Sequence, residues 1–217
     1  MTQLIVFDLD GTLVDSKRDL AAAANALIIE LGGPPLTEAA IAGMVGEGAA
    51  LLVRRALAAA GLDPEQQGAL PRFLALYDER LLEHTRPYPG VTDALEALCE
   101  RAALAVLTNK PQAATVRLLA GLELTGYFQE VLGGDTPYGR KPSPSGLLEL
   151  ARRCSAPVDS TVLVGDSPVD LETARAAGCG VVLVRYGFGF RPVHFLPGER
   201  VVQNAAELAN LFPVGGV

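Results

Sequence analysis

A chain of 217 residues is long enough for one α/β domain with a sizeable insertion, or for two small domains. Its net charge of −7 argues against nucleic acid as a partner, because a phosphate backbone is bound by clustered lysine and arginine side chains. Hydrophobic residues make up 49% of the chain, but they occur in short runs, and none approaches the roughly 20 residues that a membrane-spanning helix needs.

The cysteines and the first residues of the chain indicate the cellular compartment in which we expect the protein. The three cysteines are odd in number and widely separated, so we expect reduced thiols, and neither a disulfide frame nor a zinc site. Met1-Thr2-Gln3 leads directly into an apolar run, without the pattern of a secretory signal. We therefore expect a cytoplasmic protein with no membrane partner, either a monomer or a homodimer.

The first apolar run ends at two carboxylates. Leu4-Ile5-Val6-Phe7 is followed by Asp8-Leu9-Asp10-Gly11-Thr12, which predicts a buried strand that delivers acidic groups to the carboxyl edge of a parallel sheet. In an extended chain Asp8 and Asp10 lean to the same side, where two like charges need a divalent cation between them or a proton on one of them. A turn or a calcium loop is the alternative, although the residues that follow lack a calcium loop's ladder of oxygen ligands.

Helical patterns fill the next part of the chain, with no strand signal between about 15 and 85. Helices are predicted over 19–27 (ending near 32), 37–44, 49–60 and 65–83. Because the rest of the chain alternates between strands and helices, we predict that residues 15–87 form an inserted all-helical domain, the helical cap. Two prolines and a glycine mark its end in Arg86-Pro87-Tyr88-Pro89-Gly90. Residues 1–14 and 88–217 then form the core.

From Val91 strands and helices alternate. Strands are predicted over 104–107, 130–132, 161–164, 181–184 and near 201–202, and helices over 91–101, 112–122, 143–154, 171–177 and near 205–211. Several strands end at polar residues, namely Asp8, Thr108 and Asp166. We predict an α/β fold, a doubly wound, mostly parallel, Rossmann-like sheet with the helical cap inserted, in which these strand ends lie beside one another.

The predicted sheet edge brings together more acidic than basic groups. Its members are Asp8, Asp10, Asp166, Asp170, Thr108, Asn109 and Lys141. The four acids bring a formal charge of about −4 and Lys141 brings about +1. This imbalance could not persist in a partly buried cleft without a divalent cation. Oxygen ligands favour Mg²⁺, which also binds phosphate oxygens. Phosphoryl transfer needs a nucleophile, a proton donor and positive charge around the phosphate, and this set contains candidates for all three.

Each motif taken singly also has a purely structural explanation. Lys141-Pro142 is typical of a solvated loop, and a threonine at a strand end, such as Thr108, is often a helix cap. Gly165-Asp166-Ser167 suits the start of a helix, whose dipole Asp170 would offset. The order and spacing of the motifs, taken together, favour a functional site.

Four ordered motifs resemble those of the haloacid dehalogenase-like phosphohydrolases. They are Asp8-Leu9-Asp10-Gly11-Thr12, Thr108-Asn109, Lys141-Pro142 and Gly165-Asp166-Ser167-Pro168-Val169-Asp170. The resemblance covers nearly the whole chain, since the helical cap is similar to the α-helical cap that this superfamily carries after its first motif. Within the superfamily, Thr108-Asn109-Lys110-Pro111, Gly133-Gly134-Asp135 and Gly46-Glu47-Gly48 are most similar to phosphoglycolate phosphatases.

The resemblance implies roles for the acidic residues. Asp8 would be the nucleophile that forms an aspartyl-phosphate, and Asp10 would be the general acid and base. Mg²⁺ would be held by Asp8, the backbone carbonyl of Asp10 and Asp166, with Asp170 behind them. A dehalogenase of this superfamily would not need a second acid at position 10, so its presence favours phosphate.

The resemblance also implies residues that bind the substrate. Thr108 and the backbone amide of Asn109 would bind the phosphate, and Lys141 would neutralise its charge.

The resemblance places the loop of Glu47 where the helical cap faces the active site. The Glu47 carboxylate would repel an acidic substrate unless Lys17, Arg18 or Arg54 pairs with it. Lys17, Arg18 and Glu47 are therefore our candidates for contacts with the leaving group.

The predicted function is magnesium-dependent hydrolysis of a small phosphorylated metabolite, with 2-phosphoglycolate as the first candidate. A sugar-phosphate phosphatase or a phosphoglucomutase of the same superfamily would share the acids and differ in the cap. A receiver-like signalling domain would also phosphorylate an aspartate, but it is much shorter and has no helical cap. A binding protein without turnover is the remaining alternative, and it would not hydrolyse p-nitrophenyl phosphate.

Overall fold

The computed structural model describes residues 3–212, and its strands and helices alternate outside the helical cap. The strands are β1 (Leu4–Phe7), β2 (Val14–Asp15), β3 (Arg86–Pro87), β4 (Ala103–Leu107), β5 (Glu130–Leu132), β6 (Thr161–Gly165), β7 (Gly180–Val184) and β8 (Arg200–Val202). The helices are α1 (Lys17–Glu30), α2 (Glu38–Ala42), α3 (Ala49–Ala59), α4 (Ala69–Arg80), α5 (Val91–Cys99), α6 (Gln112–Gly121), α7 (Ser145–Arg153), α8 (Pro168–Ala177) and α9 (Ala206–Leu211). No helix in this part of the chain is both long enough and apolar enough to span a membrane.

Within residues 3–212, six strands form one parallel sheet in the order β5-β4-β1-β6-β7-β8. The order reverses around β1, where Phe7 lies between Val106 of β4 and Val164 of β6. All four residues of β1 are buried, as expected for a strand that is covered on both faces. The predicted fold class, a doubly wound parallel sheet with a helical cap, is confirmed, and its carboxyl edge beside β1 is where such sheets bind ligands.

Apolar side chains cover both faces of the sheet. Ile5 and Phe7 point into one buried cluster, which continues into the helical cap through residues such as Phe73. Leu4 and Val6 point into the other cluster, which packs beneath α7 and α8. This alternation within β1 follows from the two-residue period of a strand, and it fixes the direction in which the acids after Phe7 project.

The helical cap consists of α1 to α4, with α1 packed against α2 and α4 and with α3 packed against α4. The chain enters it through β2 and leaves it through β3, and these two strands pair antiparallel. No sequence pattern predicts this ribbon, because two-residue strands have no measurable periodicity. Asp19 of α1 joins the same two chain segments, since its buried carboxylate accepts the backbone N–H groups of His84 and Thr85 and the Thr85 hydroxyl.

Two predicted helices begin clearly later in the structure than the sequence pattern indicates. The helix expected over 65–83 begins only at Ala69, after a turn that ends at Gly68 with φ of 76°, a conformation that glycine adopts without strain. The helix expected over 143–154 begins at Ser145, because Ser143 precedes Pro144 and the residue before a proline is disfavoured from the helical conformation.

Candidate active site

The acidic pair lies directly after the central strand. Asp8 extends the parallel pairing of β1, since its N–H donates to the carbonyl of Val164 at 2.8 Å. The chain then turns at Gly11, whose φ is 90°. A Cβ at Gly11 would lie 2.0 Å from the Asp166 carboxylate, so only glycine allows β1 and β6 to bring their acids this close. Asp8 is buried and Asp10 is half-buried.

The second pair of acids lies at the end of β6. Ser167 caps helix α8, and a capping box joins it to Asp170, whose carboxylate accepts the Ser167 backbone N–H at 3.1 Å. The structural explanation considered for this motif therefore holds for Ser167 and Asp170. Asp166, one residue before the cap, accepts the N–H of Gly189 at 2.7 Å.

Lys141 lies between the two pairs of acids. Its ammonium nitrogen is 2.7 Å from Asp8 Oδ1 and 2.5 Å from Asp170 Oδ1, and all three side chains are buried. Burial alone would lower the pKa of Lys141, but Asp170 and Asp8 outweigh burial and hold the pKa above its usual value. Lys141 therefore stays charged and holds Asp8 in place.

Three buried carboxylates in this cluster suit a divalent cation. Oxygen atoms of Asp8, Asp166 and Asp170 all lie within 4.8 Å of one another. Burial raises the pKa of Asp8 to about 7, and Asp170 adds to this while Lys141 opposes it. Burial, Asp170 and Asp8 raise the pKa of Asp166 well above its usual value. The cluster contains three carboxylates and one ammonium group, that of Lys141. Its excess of negative charge is about the charge that a bound Mg²⁺ would neutralise.

The existing contacts of the three acids distinguish which of them would touch the metal. One Asp170 oxygen already accepts a hydrogen bond from Lys141, and the other accepts hydrogen bonds from Ser167. Asp166 accepts one backbone N–H, and no cation within residues 3–212 pairs with it. Asp8 and Asp166 are therefore the better direct ligands, and Asp170 is better suited to holding Lys141.

Thr108 and Asn109 lie at the end of β4, beside the acids of β1. The Asn109 side chain donates to the carbonyls of Gly46 and Lys141 and accepts the Lys141 backbone N–H at 2.8 Å. It thereby joins a loop of the helical cap to the loop that carries Lys141. Thr108 is buried, and its hydroxyl accepts the backbone N–H of Lys110.

Lys110 is a site residue that the sequence analysis did not identify. Its ammonium nitrogen lies 3.0 Å from both carboxylate oxygens of Asp10 and 2.6 Å from the hydroxyl of Tyr77 on α4. The Lys110 side chain is 3% exposed. Asp10 also accepts the Ser16 hydroxyl at 2.6 Å. The one sequence feature that could have indicated Lys110 is its position just after a strand end. Its partner Tyr77 lies in a helical pattern, where a tyrosine is typical of core packing and does not indicate a polar contact.

A cavity of about 360 Å³ separates the helical cap from the sheet edge. Asp8, Asp10 and the segment 108–111 line its lower side. Most of the remaining wall is apolar, with contributions from Val45, Leu52, Phe73, Leu74 and Ala114. The nucleophile and the acid predicted from the sequence therefore face one shared space.

The structure does not bring Lys17 and Arg18 to this cavity. Both line a different surface depression, together with residues such as His84, and Lys17 pairs with Asp15 at 2.9 Å. Glu47 is exposed between two glycines that line the cavity.

The partner of Glu47 differs from those considered from the sequence. Its carboxylate pairs with Arg55 at 2.6 Å, whereas Arg54 pairs with Glu65.

Comparisons with known proteins agree with this geometry. Residues 5–184 match the family model of the haloacid dehalogenase-like hydrolases. A phosphoglycolate phosphatase of Rhodospirillum rubrum is 43% identical over 218 residues, which cover 97% of this chain and 90% of the relative. One of Chromobacterium violaceum is 39% identical, with 97% and 96% covered.

A solved structure gives the same result. The crystal structure of a predicted phosphoglycolate phosphatase from Haemophilus somnus matches with a TM-score of 0.87 and 30% identity, and the match covers 97% of each chain. The chain belongs to the haloacid dehalogenase-like hydrolase family, and it is a phosphatase of that family. The resemblance inferred from the four motifs is thereby confirmed.

Proposed function

We propose that this phosphatase is a magnesium-dependent phosphomonoesterase that acts through an aspartyl-phosphate on Asp8, with 2-phosphoglycolate as its substrate. The observation that carries the proposal is that Asp8 and Asp10 line one cavity, while Lys141 and Asp166 lie against Asp8 on the buried side. The relatives named phosphoglycolate phosphatase, at about 40% identity over nearly the whole chain, support the choice of substrate.

Two proton-coupled displacements at phosphorus account for hydrolysis. In the first, the Asp8 carboxylate attacks phosphorus, the bond to the ester oxygen breaks, and Asp10 donates a proton to that oxygen as the alcohol leaves. In the second, Asp10 takes a proton from water while the water oxygen attacks phosphorus. The bond to Asp8 then breaks, and inorganic phosphate is released.

Positive charge around the phosphate comes from fixed groups. Lys141 is held at 2.7 Å from Asp8 and would neutralise a phosphate oxygen beside the nucleophile. Thr108 and the Asn109 backbone N–H are the candidates for hydrogen bonds to the other phosphate oxygens. Mg²⁺, held by Asp8 and Asp166, would supply further charge neutralisation and align the phosphate with the nucleophile.

A sugar phosphate is the second candidate substrate. The cavity, at about 360 Å³, falls within the size range of pockets that enclose ligands larger than phosphoglycolate. A phosphoglucomutase would use the same acids and would be recognised by isomerisation of a glucose phosphate.

Family membership and the helical cap both argue against a receiver-like domain. A place in the cytoplasm and the oligomeric state stay predictions from the sequence.

A panel of phosphorylated metabolites, assayed by phosphate release with Mg²⁺, tests the proposal. We expect the highest kcat/KM for 2-phosphoglycolate, loss of activity with EDTA, and recovery when Mg²⁺ is added in excess. Ca²⁺ should restore activity poorly, because its larger and looser coordination shell would misplace the nucleophile. A higher kcat/KM for a sugar phosphate would favour the second candidate, and full activity of the metal-free enzyme would contradict the proposed role of the acids.

A further inference from the structure

The cavity wall contains very little positive charge. Among the described residues that line it, Lys110 is the one cation, whereas Asp8, Asp10 and Asp78 are acids. The rest of the lining is apolar or uncharged. A substrate whose leaving group carries a carboxylate must lose much of its hydration here, which is costly unless the carboxylate meets a cation. Lys110 is the residue that can meet this need.

Lys110 is already engaged in two contacts. Both oxygens of Asp10 accept from its ammonium at 3.0 Å, and the Tyr77 hydroxyl accepts at 2.6 Å. Burial alone would lower the pKa of Lys110, but Asp10 and Tyr77 hold it above its usual value, so the cation persists inside the protein. Burial raises the pKa of Tyr77 to about 12, which keeps its hydroxyl protonated.

This arrangement conflicts with the proton donation proposed for Asp10. Lys110 contacts both Asp10 oxygens, and Ser16 adds a further hydrogen bond to one of them. Each Asp10 oxygen therefore already faces a hydrogen-bond donor of the protein. Before Asp10 can protonate an ester oxygen, at least one of its contacts with Lys110 must be given up.

We propose that Lys110 recognises a carboxylate on the leaving group by turning from Asp10 to that carboxylate, which leaves the Asp10 side chain free to face the ester oxygen. The inference rests on the proposed function, because it assigns the substrate class of the same site. In 2-phosphoglycolate a single methylene separates the ester oxygen from the carboxylate. A cation beside the acid that protonates the ester oxygen therefore also lies beside the carboxylate.

Tyr77 gives this exchange a link to the helical cap. It belongs to α4, whereas Lys110 follows β4 of the core, and their 2.6 Å hydrogen bond joins the helical cap to the core in the cavity wall. The Lys110 ammonium also lies 4.4 Å from the centre of the Tyr77 ring. Tyr77 thus holds the ammonium during the change of partner and is a positioning residue. The substrates favoured are phosphomonoesters with a carboxylate close to the ester oxygen.

Two substrates with the same skeleton test the proposal. 2-Phosphoglycolate carries the carboxylate, and 2-hydroxyethyl phosphate carries a neutral hydroxyl in its place. We expect the wild-type kcat/KM to be at least about tenfold higher for 2-phosphoglycolate than for the neutral ester. In Lys110→Met, kcat/KM should fall roughly 10- to 100-fold more for 2-phosphoglycolate than for the neutral ester. Lys110→Arg keeps a cation and should restore part of the preference. Arg152→Met, on the exposed face of α7, is the matched control.

Binding without turnover provides a second measurement. 3-Phosphonopropionate replaces the ester oxygen of 2-phosphoglycolate by a methylene, and propylphosphonate is its counterpart without the carboxylate. Lys110→Met should weaken inhibition by 3-phosphonopropionate about tenfold or more and leave inhibition by propylphosphonate nearly unchanged. Tyr77→Phe, which removes only the hydroxyl, should lower the preference between the two substrates by roughly threefold.

The outcomes separate this proposal from the proposed function. A wild-type enzyme that prefers 2-phosphoglycolate, together with a Lys110→Met variant that keeps the full preference in both assays, overturns the role of Lys110 and leaves the proposed function standing. A wild-type enzyme with no preference overturns the proposed substrate and this inference together. If Lys110→Met does not fold, an unchanged preference in Tyr77→Phe overturns the inference.

Discussion

Lys141 and Lys110 are both buried, and each contacts one acid of the first motif, but their surroundings differ. Lys141 is held by Asp8 and Asp170, two acids at the sheet edge. Lys110 is held by Asp10 and by Tyr77 of the helical cap. The first arrangement is enclosed within the core beside Asp8, where the proposed mechanism places the phosphate that all substrates share. The second joins core to cap, where the proposal places the group that differs between substrates.

With the proposed roles of the two lysines, chemistry and selectivity depend on separate charges. Changes at the sheet edge should therefore reduce turnover of every phosphomonoester alike. Changes at Lys110 should depend on what the leaving group carries. The following predictions test this division, from the largest expected effect to the smallest.

Asp8→Asn should have the largest effect, a loss of at least about 10³-fold in kcat on 2-phosphoglycolate and on 2-hydroxyethyl phosphate, because both need the same nucleophile. No covalent phosphate should accumulate on the protein after acid quenching with labelled substrate. Asp93→Asn, on the exposed side of α5, is the control and should keep full activity. Acid-stable phosphate on the Asp8→Asn protein would show that another residue is the nucleophile.

Lys141→Met should cost about 10²- to 10³-fold in kcat/KM, the scale for losing one group that stabilises transition-state charge. The loss should be the same for 2-phosphoglycolate and for 2-hydroxyethyl phosphate, because the proposed partner of Lys141 is the phosphate that both share. Parallel assays of the two substrates, with Lys110→Met beside them, measure this equality. A loss confined to 2-phosphoglycolate would reverse the division of roles between the two lysines.

The stability of the metal-free enzyme should fall as pH rises from about 5 to about 8. The pKa of Asp8 moves from an ordinary value of 3.8 to about 7 on folding, and that of Asp166 also rises. Between those values the folded state binds more protons than the unfolded state, so raising the pH removes stability. Thermal melts over this pH range measure the effect, and Mg²⁺ should raise the melting temperature more at pH 8 than at pH 5.

Asp166→Asn provides the matched variant for the pH series. Removing a buried acid whose charge is unfavourable should raise the melting temperature of the metal-free protein at pH 8 by about 3 °C or more, while abolishing most of the response to Mg²⁺. Asp93→Asn should follow the wild type. A lower melting temperature for Asp166→Asn at pH 8 would mean that this carboxylate is stabilised in the fold without metal.

Lys17→Ala and Arg18→Ala should have the smallest effect, less than about twofold in KM for 2-phosphoglycolate. Both residues line a depression away from the cavity, and Lys17 is paired with Asp15. Steady-state kinetics on 2-phosphoglycolate measure the effect. A clear rise in KM would support the earlier expectation that these residues meet the leaving group.

Much of the fold was predictable because its signals are local. β1 is a run of apolar residues that ends at Asp8, and the strand ends at Thr108 and Asp166 follow the same pattern. Parallel strands in a doubly wound sheet bring such ends together without further information. The ribbon of β2 and β3 was not predictable, because its pairing depends on the packing of the cap that lies between the two strands.

The candidate site was only partly predictable for a related reason. The motifs give each residue's neighbours in sequence, whereas the partner of Lys110 is Tyr77, which lies on a helix of the cap. Lys17 and Arg18 follow the first motif closely in sequence, and this proximity alone predicts that they lie near the leaving group. Helix α1 begins at Lys17 and directs this segment toward the β2–β3 ribbon, which the sequence does not show.

The β2–β3 ribbon has a consequence for how such a protein can change over evolutionary time. Val14 lies opposite Pro87 and Asp15 opposite Arg86, so the two points at which the cap joins the core are neighbours. A tight turn in place of the intervening residues would leave the chain path through the sheet intact. Recombination that exchanges this stretch for another helical module can therefore give the same phosphoryl-transfer apparatus a new choice of alcohol, with every acid at the sheet edge inherited unaltered.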